Sequence, residues 1–80
     1  MSEYIPVTCE LHSEYELAVM RHQFFNVSWK DRDKQVRKSV LKPLDLLTRD
    51  KEEIMLAEDK EGQLLELRLD YILTIEDLDQ

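Results

Sequence analysis

From Leu65 to Leu69 the chain alternates strictly, with Leu65, Leu67 and Leu69 on one side and Glu66 and Arg68 on the other. A two-residue period puts successive side chains on opposite faces, so this is a strand with one face in a core and one in water. The alternation breaks at Asp70-Tyr71 and resumes through Ile72, Leu73 and Ile75, with no Gly or Pro at the break. Two strands joined by a bend or tight turn fit that pattern, as does one long kinked strand. The three leucines form the largest regular apolar surface in the sequence, and the remaining elements are expected to fold onto them.

Upstream, Ile5, Val7 and Cys9 alternate with Pro6 and Thr8, and Pro6 disfavours helix at Ile5, so residues 1–12 read as an extended N-terminal arm. Cys9 reads as a small buried apolar side chain. Residues 13–23 read as the one helix. Ser13 is a good N-cap, Glu16 three residues on completes a capping box, and Glu14 and Glu16 would lie in the dipole-favoured first turn. At about 100° per residue the helix carries two apolar stripes. One is Leu17, Met20 and Phe24; the other is Tyr15, Ala18, Val19 and His22. A helix on a sheet needs only one such stripe, so the second, flanked by carboxylates, is a candidate partner surface.

Residues 24–30 form a strand in which Phe25, Val27 and Trp29 alternate with Asn26 and Ser28. Asp31-Arg32-Asp33 is a polar turn into a second strand over about 34–41, which Pro43 is expected to end. Residues 44–50 read as a connector. Residues 53–58 are a third strand, apolar on both faces and therefore central. Asp59 to Gly62 is a hairpin turn, Gly62 being free to take positive φ. The domain layout is one unit over 1–80: arm 1–12, helix 13–23, five strands within 24–76, and an acidic tail at 77–80. Five short antiparallel strands leave two exposed edges unless the sheet curls. The expected fold is therefore mainly β: a small, strongly bent, five-stranded antiparallel barrel with one N-terminal helix, in the Sm-like or SH3-like order.

Composition changes the picture through charge. With 80 residues the core is thin, and 42% hydrophobic against 36% charged residues suits a folded domain. The apolar runs are too short to cross a membrane. The N-terminus lacks the pattern of a signal peptide and Cys9 is the only cysteine, so a cytoplasmic location is expected. Net charge is −7, unevenly spread: residues 30–51 carry eight bases and four acids, whereas residues 52–80 carry ten acids and two bases. An acidic surface repels nucleic acid and attracts basic partners.

Catalytic chemistry is not expected. Cys9 would need a partnered base, and His12 or His22 could serve only by an accident of folding. His12, His22 and Cys9 match no metal-ligand spacing, so neither a metal nor another cofactor is expected. A phosphate loop or a serine elbow needs glycines, and the chain has one. Two binding functions remain. An Sm-like module could bind RNA through Lys34, Arg37, Lys38 and Lys42, with Trp29 or Tyr71 stacking on bases. Alternatively, the acidic surface could bind a basic protein, and the net charge favours this.

Four short motifs then carry a likeness. Tyr4-x-Pro6-Val7-x-Cys9, Glu16-Leu17-Ala18 with His22, Asp45-Leu46 with Thr48-Arg49, and Glu66-Leu67-Arg68-Leu69-Asp70 resemble, in order and spacing over about residues 4–75, the Rho-binding antiterminators of the Rof family. The resemblance implies an Sm-like fold and a bacterial cytoplasmic protein. It implies binding to the N-terminal RNA-docking region of transcription termination factor Rho, blocked RNA loading, and inhibited Rho-dependent termination. It further implies a contact surface running from Cys9 through the helix: Glu10, Ser13, Glu14 and Glu16, with Tyr15 and Val19 as apolar contacts. The chain departs from the family pattern in having Leu11 after Glu10 and Ser13 where an acid can cap the helix; both lower the negative charge of that surface.

Overall fold

The computed structural model describes residues 7–78. One helix, α1 (Cys9–Arg21), is followed by β1 (Phe25–Lys30), β2 (Val36–Arg49), β3 (Glu52–Asp59), β4 (Leu64–Arg68), a 3-10 turn (Leu69–Tyr71) and β5 (Ile72–Asp77). All pairings are antiparallel, in the order β4-β3-β2-β1-β5. This is the expected mainly-β fold, a bent five-stranded sheet with Sm-like strand order and one N-terminal helix. Among the described residues no ladder joins β4 to β5, so each keeps one side open.

The bend lies in β2. Its first half pairs with β1 from Val36 to Leu41, and its second half pairs with β3 from Leu41 to Arg49. Pro43, expected to end the strand, instead lies buried inside it. The register shifts between Pro43 and Asp45, and a bulge is where a sheet tolerates a residue without an N–H. The expected connector at 44–50 is thus strand up to Arg49. It turns through Asp50 and Lys51, whose φ values of 52° and 67° are the signature of a two-residue hairpin turn with both central residues left-handed.

The other hairpins share one device. Asp31 Oδ1 accepts from the backbone N–H of Asp33 at 2.9 Å and of Gln35 at 3.0 Å. Asp59 Oδ1 accepts from Glu61 and from Gln63, both at 2.9 Å. The left-handed position is Lys34 in the first turn (φ 63°) and Gly62 in the second (φ 84°). The aspartate holds the turn in both, and only the second has the glycine such a φ favours.

Leu41, Pro43, Met55 and Leu69 are fully buried, with Phe25, Val27, Ala57, Leu67 and Ile72 around them. Leu67 and Leu69 thus face the core as the alternation requires, with Leu65 at its margin. Among the described residues Ser28 is the one buried polar residue, and its hydroxyl pairs with that of Thr74 at 2.6 Å across β1 and β5, which removes the penalty of an unsatisfied hydroxyl.

The helix begins earlier than expected. Thr8 is the N-cap, its Oγ1 accepting from the Leu11 N–H at 3.2 Å, and His12 N–H closes the first turn on the Thr8 carbonyl at 2.9 Å. Ser13 is therefore not the cap, the Ser13–Glu16 capping box does not form, and the acid in the first turn is Glu10, not Glu14 or Glu16. The expected arm over 1–12 is helical from Cys9, which is exposed, not buried; residues 1–6 lie outside the described residues. The helix stops at His22, which takes the left-handed conformation (φ 52°) and donates to the Val19 carbonyl at 3.4 Å. At the other end Glu76 and Asp77, the latter read as tail, are strand residues opposite Asn26 and Phe25. Residues 79–80 lie outside the described residues.

Candidate partner-binding surface

Which stripe of α1 faces inward follows from size. Ala18 is small enough to bring the helix backbone close to the sheet, and Tyr15 fills the space beside it; both are 5% exposed. Burial raises the Tyr15 hydroxyl pKa above its ordinary value, and the nearby Glu14 charge adds to this. The stripe read as a partner surface is therefore the core-facing one. Tyr15 is not available as an outward apolar contact, and Val19 is half-buried. Leu17 (53% exposed) and Met20 (70%) take the outward place instead. Sequence reasoning missed these two, and the signal that could have found them was Ala18.

The four polar candidates do lie together on the outside of α1: Glu10, Ser13, Glu14 and Glu16 are all exposed. Glu16 is partly occupied, its Oε1 lying 3.3 Å from His12 Nδ1. The other ring nitrogen of His12 lies 3.3 Å from Glu53 Oε2 on β3, so this imidazole ties helix to sheet. Glu10 and Glu14 have no ion-pair partner among the described residues. The result is an acidic helical ridge with two large apolar side chains along it, suited to a basic surface with apolar pockets.

Three of the eight bases of residues 30–51, namely Arg37, Lys42 and Arg49, are paired with carboxylates among the described residues. Arg37 Nε donates to Asp31 Oδ2 at 2.7 Å, and Lys42 Nζ lies 3.2 Å from Glu58 and 5.4 Å from the Phe24 ring centroid. Arg49 grips Glu66 with two hydrogen bonds, at 2.8 and 3.0 Å. Arg68 does the same to Asp70 at 3.1 and 2.7 Å and stacks on Tyr71, 4.2 Å from its ring centroid. Of the four bases named for RNA, only Lys34 and Lys38 have no ion-pair partner among the described residues. Trp29 and Tyr71 do share a groove of about 370 Å³ with Arg32 and Arg49.

These pairs set a pH dependence. The hydrogen bond from Arg37 holds the Asp31 carboxyl below its ordinary pKa, and Arg49 does the same for Glu66. A carboxylate with a folded pKa below its unfolded one stabilises fully above the unfolded value, and the contribution disappears as pH falls through the folded value. Glu66 is exposed and Asp31 half-buried in a surface turn, so the effect is small. Carboxyl titration by NMR should place both midpoints below the ordinary carboxylate range, and Arg49→Gln should move Glu66 back up.

Among the described residues no cluster of three or more His, Cys, Asp or Glu is placed to hold a metal ion, and no helix is long and apolar enough to cross a membrane.

Comparison with known proteins bears on the fold. No family model matches the chain, and no curated protein does. Among solved structures it is similar to proteasome accessory factor B/C (PafBC) of Arthrobacter aurescens, with a TM-score of 0.76 at 17% identity over 99% of this chain. The chain spans 13% of that protein's length. Likeness at that identity is one of fold: the same bent sheet and helix form part of a much larger protein.

Proposed function

We propose that this chain is a bacterial, cytoplasmic inhibitor of transcription termination factor Rho that works by occupancy. It binds the N-terminal RNA-docking region of Rho, blocks RNA loading, and so reduces Rho-dependent termination, with no chemical step of its own. The observation that carries the reading is the outward acidic ridge of α1: Glu10 and Glu14, without an ion-pair partner among the described residues, with Glu16 and Ser13 beside them and Leu17 and Met20 alongside. A surface that docks RNA must be basic, and an acidic ridge on a chain of net charge −7 complements it. The four motifs resembling the Rof family supply the identity of the partner. With Tyr15 buried, the apolar part of the footprint is Leu17 and Met20.

A second reading is an Sm-like RNA-binding module, and the Trp29–Tyr71 groove with Arg32 and Arg49 favours it. Stacking plus cations binds single strands, but Arg49 and Arg68 there are already held by carboxylates. Filter binding of the protein alone to single-stranded RNA separates the two. No retention at moderate salt, together with capture of Rho by the immobilised protein, is the outcome expected for the first. Tight, salt-sensitive retention abolished by Trp29→Ala would establish the second.

A further inference from the structure

β5 ends the strand order, and the side turned away from β1 carries no ladder among the described residues. A groove of about 510 Å³ runs along it, with α1 as the opposite wall. Five consecutive residues, Leu73 to Asp77, line that groove. Neighbouring side chains of a strand point to opposite faces, so a wall made of consecutive residues is the edge of the strand, where backbone N–H and C=O groups lie, and not one of its faces. Across the gap Leu11 and Leu17 are 40% and 53% exposed, and Leu73 on the strand side is 47% exposed. Glu14 and Glu76 sit on opposite walls, both exposed and neither in an ion pair among the described residues. One end is closed by Arg21, whose Nη1 lies 3.5 Å from Asp77 Oδ1.

We propose that this groove receives an extended, lysine- or arginine-rich segment of a partner protein, which adds to β5 as a sixth strand. Three features match that occupant. The open edge offers the main-chain hydrogen bonds of strand addition. Leu11, Leu17 and Leu73 accept alternate apolar side chains. Glu14 and Glu76 accept the intervening basic ones from either wall, whereas an acidic segment would be repelled. A bare exposed edge is an aggregation hazard that proteins normally cover; here α1 stands beside the edge at a distance that leaves it open. The proposal does not rest on the Rho reading: it concerns the strand edge, and Glu14 and Leu17 are the residues common to both surfaces.

The probe is a blocked peptide of about eight residues alternating lysine and valine, titrated into the full chain and followed by backbone amide shifts. Shifts and slowed hydrogen exchange are expected at Leu73–Asp77, with an affinity at least about fivefold weaker for Glu14→Lys/Glu76→Lys at unchanged spectral dispersion. A glutamate–valine peptide should not bind. The lysine peptide N-methylated at alternate residues, which keeps its side chains but loses its N–H donors, should bind at least about fivefold more weakly. The proposal is overturned if the methylated peptide binds as well as its parent. It is equally overturned if the shifts map to the outer ridge of α1 or to the Trp29–Tyr71 groove, or if β5 is protected without peptide because a second copy of the chain occupies the edge.

Discussion

Leu69→Ala is expected to lower stability by about 3 kcal/mol, with a urea midpoint that falls steeply at unchanged slope. Leu69 has no exposed surface, ends the alternating stretch, and opens the 3-10 turn that hands the chain from β4 to β5. Truncating it removes the transfer free energy of three carbons and leaves a cavity that neighbours such as Leu41 and Met55, themselves fully buried, can fill only in part. A domain of this size commonly holds about 4–12 kcal/mol in all, so the loss is a large fraction of the total. Leu64→Ala is the control: Leu64 begins β4, the strand that leads into Leu69, but is 59% exposed, and its truncation should cost under about 0.5 kcal/mol. Equal losses for the two would mean that the leucine face is not what the core is built on.

The second large effect is on binding. Glu10→Lys/Glu14→Lys is expected to weaken association with Rho at least about tenfold, equivalent to about 1.4 kcal/mol, while leaving thermal unfolding almost unchanged. Both side chains are exposed. Glu14 has no packing role to lose. Glu10 lies in the first turn of α1, where a lysine costs a few tenths of a kcal/mol against the helix dipole. Reversing two charges turns attraction into repulsion over a basic surface, and the loss should grow at low ionic strength, where screening is weakest. Glu16→Lys is a poorer test because Glu16 also contacts His12. Parent-like binding by the double variant would place the footprint elsewhere on the domain.

The strand pattern was legible because a two-residue period survives in a thin core. Leu67 and Leu69, Phe25 and Val27, and the doubly apolar β3 all lie where alternation puts them. Turns were legible where glycine marked them, as at Gly62. The polar turn at Asp31-Arg32-Asp33 was also read, although the strand after it starts at Val36 and not near Lys34, whose backbone is left-handed; the turn at Asp50-Lys51, where two other residues take that conformation, was missed. Asp31 and Asp59 show what to look for instead: an aspartate four residues before a glutamine, whose carboxylate binds the turn's own backbone. Pro43 was misleading because a proline normally ends a strand, and the bulge that admits it depends on how β2 changes partners. The helix start was misread because Ser13 and Glu16 mimic a capping box, while Thr8 caps without a glutamate three residues on. Which apolar stripe faced outward could not be read from periodicity, since both stripes satisfy it. The choice is made by close approach at Ala18, a tertiary effect.

The most direct measurement follows a fluorescently labelled pyrimidine-rich oligonucleotide bound to the N-terminal region of Rho while this protein is titrated in. Occupancy of the docking groove predicts that the anisotropy falls to that of free RNA as the protein saturates Rho, with a midpoint that rises in proportion to the RNA present. Anisotropy that stays at the bound value while the protein is demonstrably on Rho, a ternary complex, would contradict it.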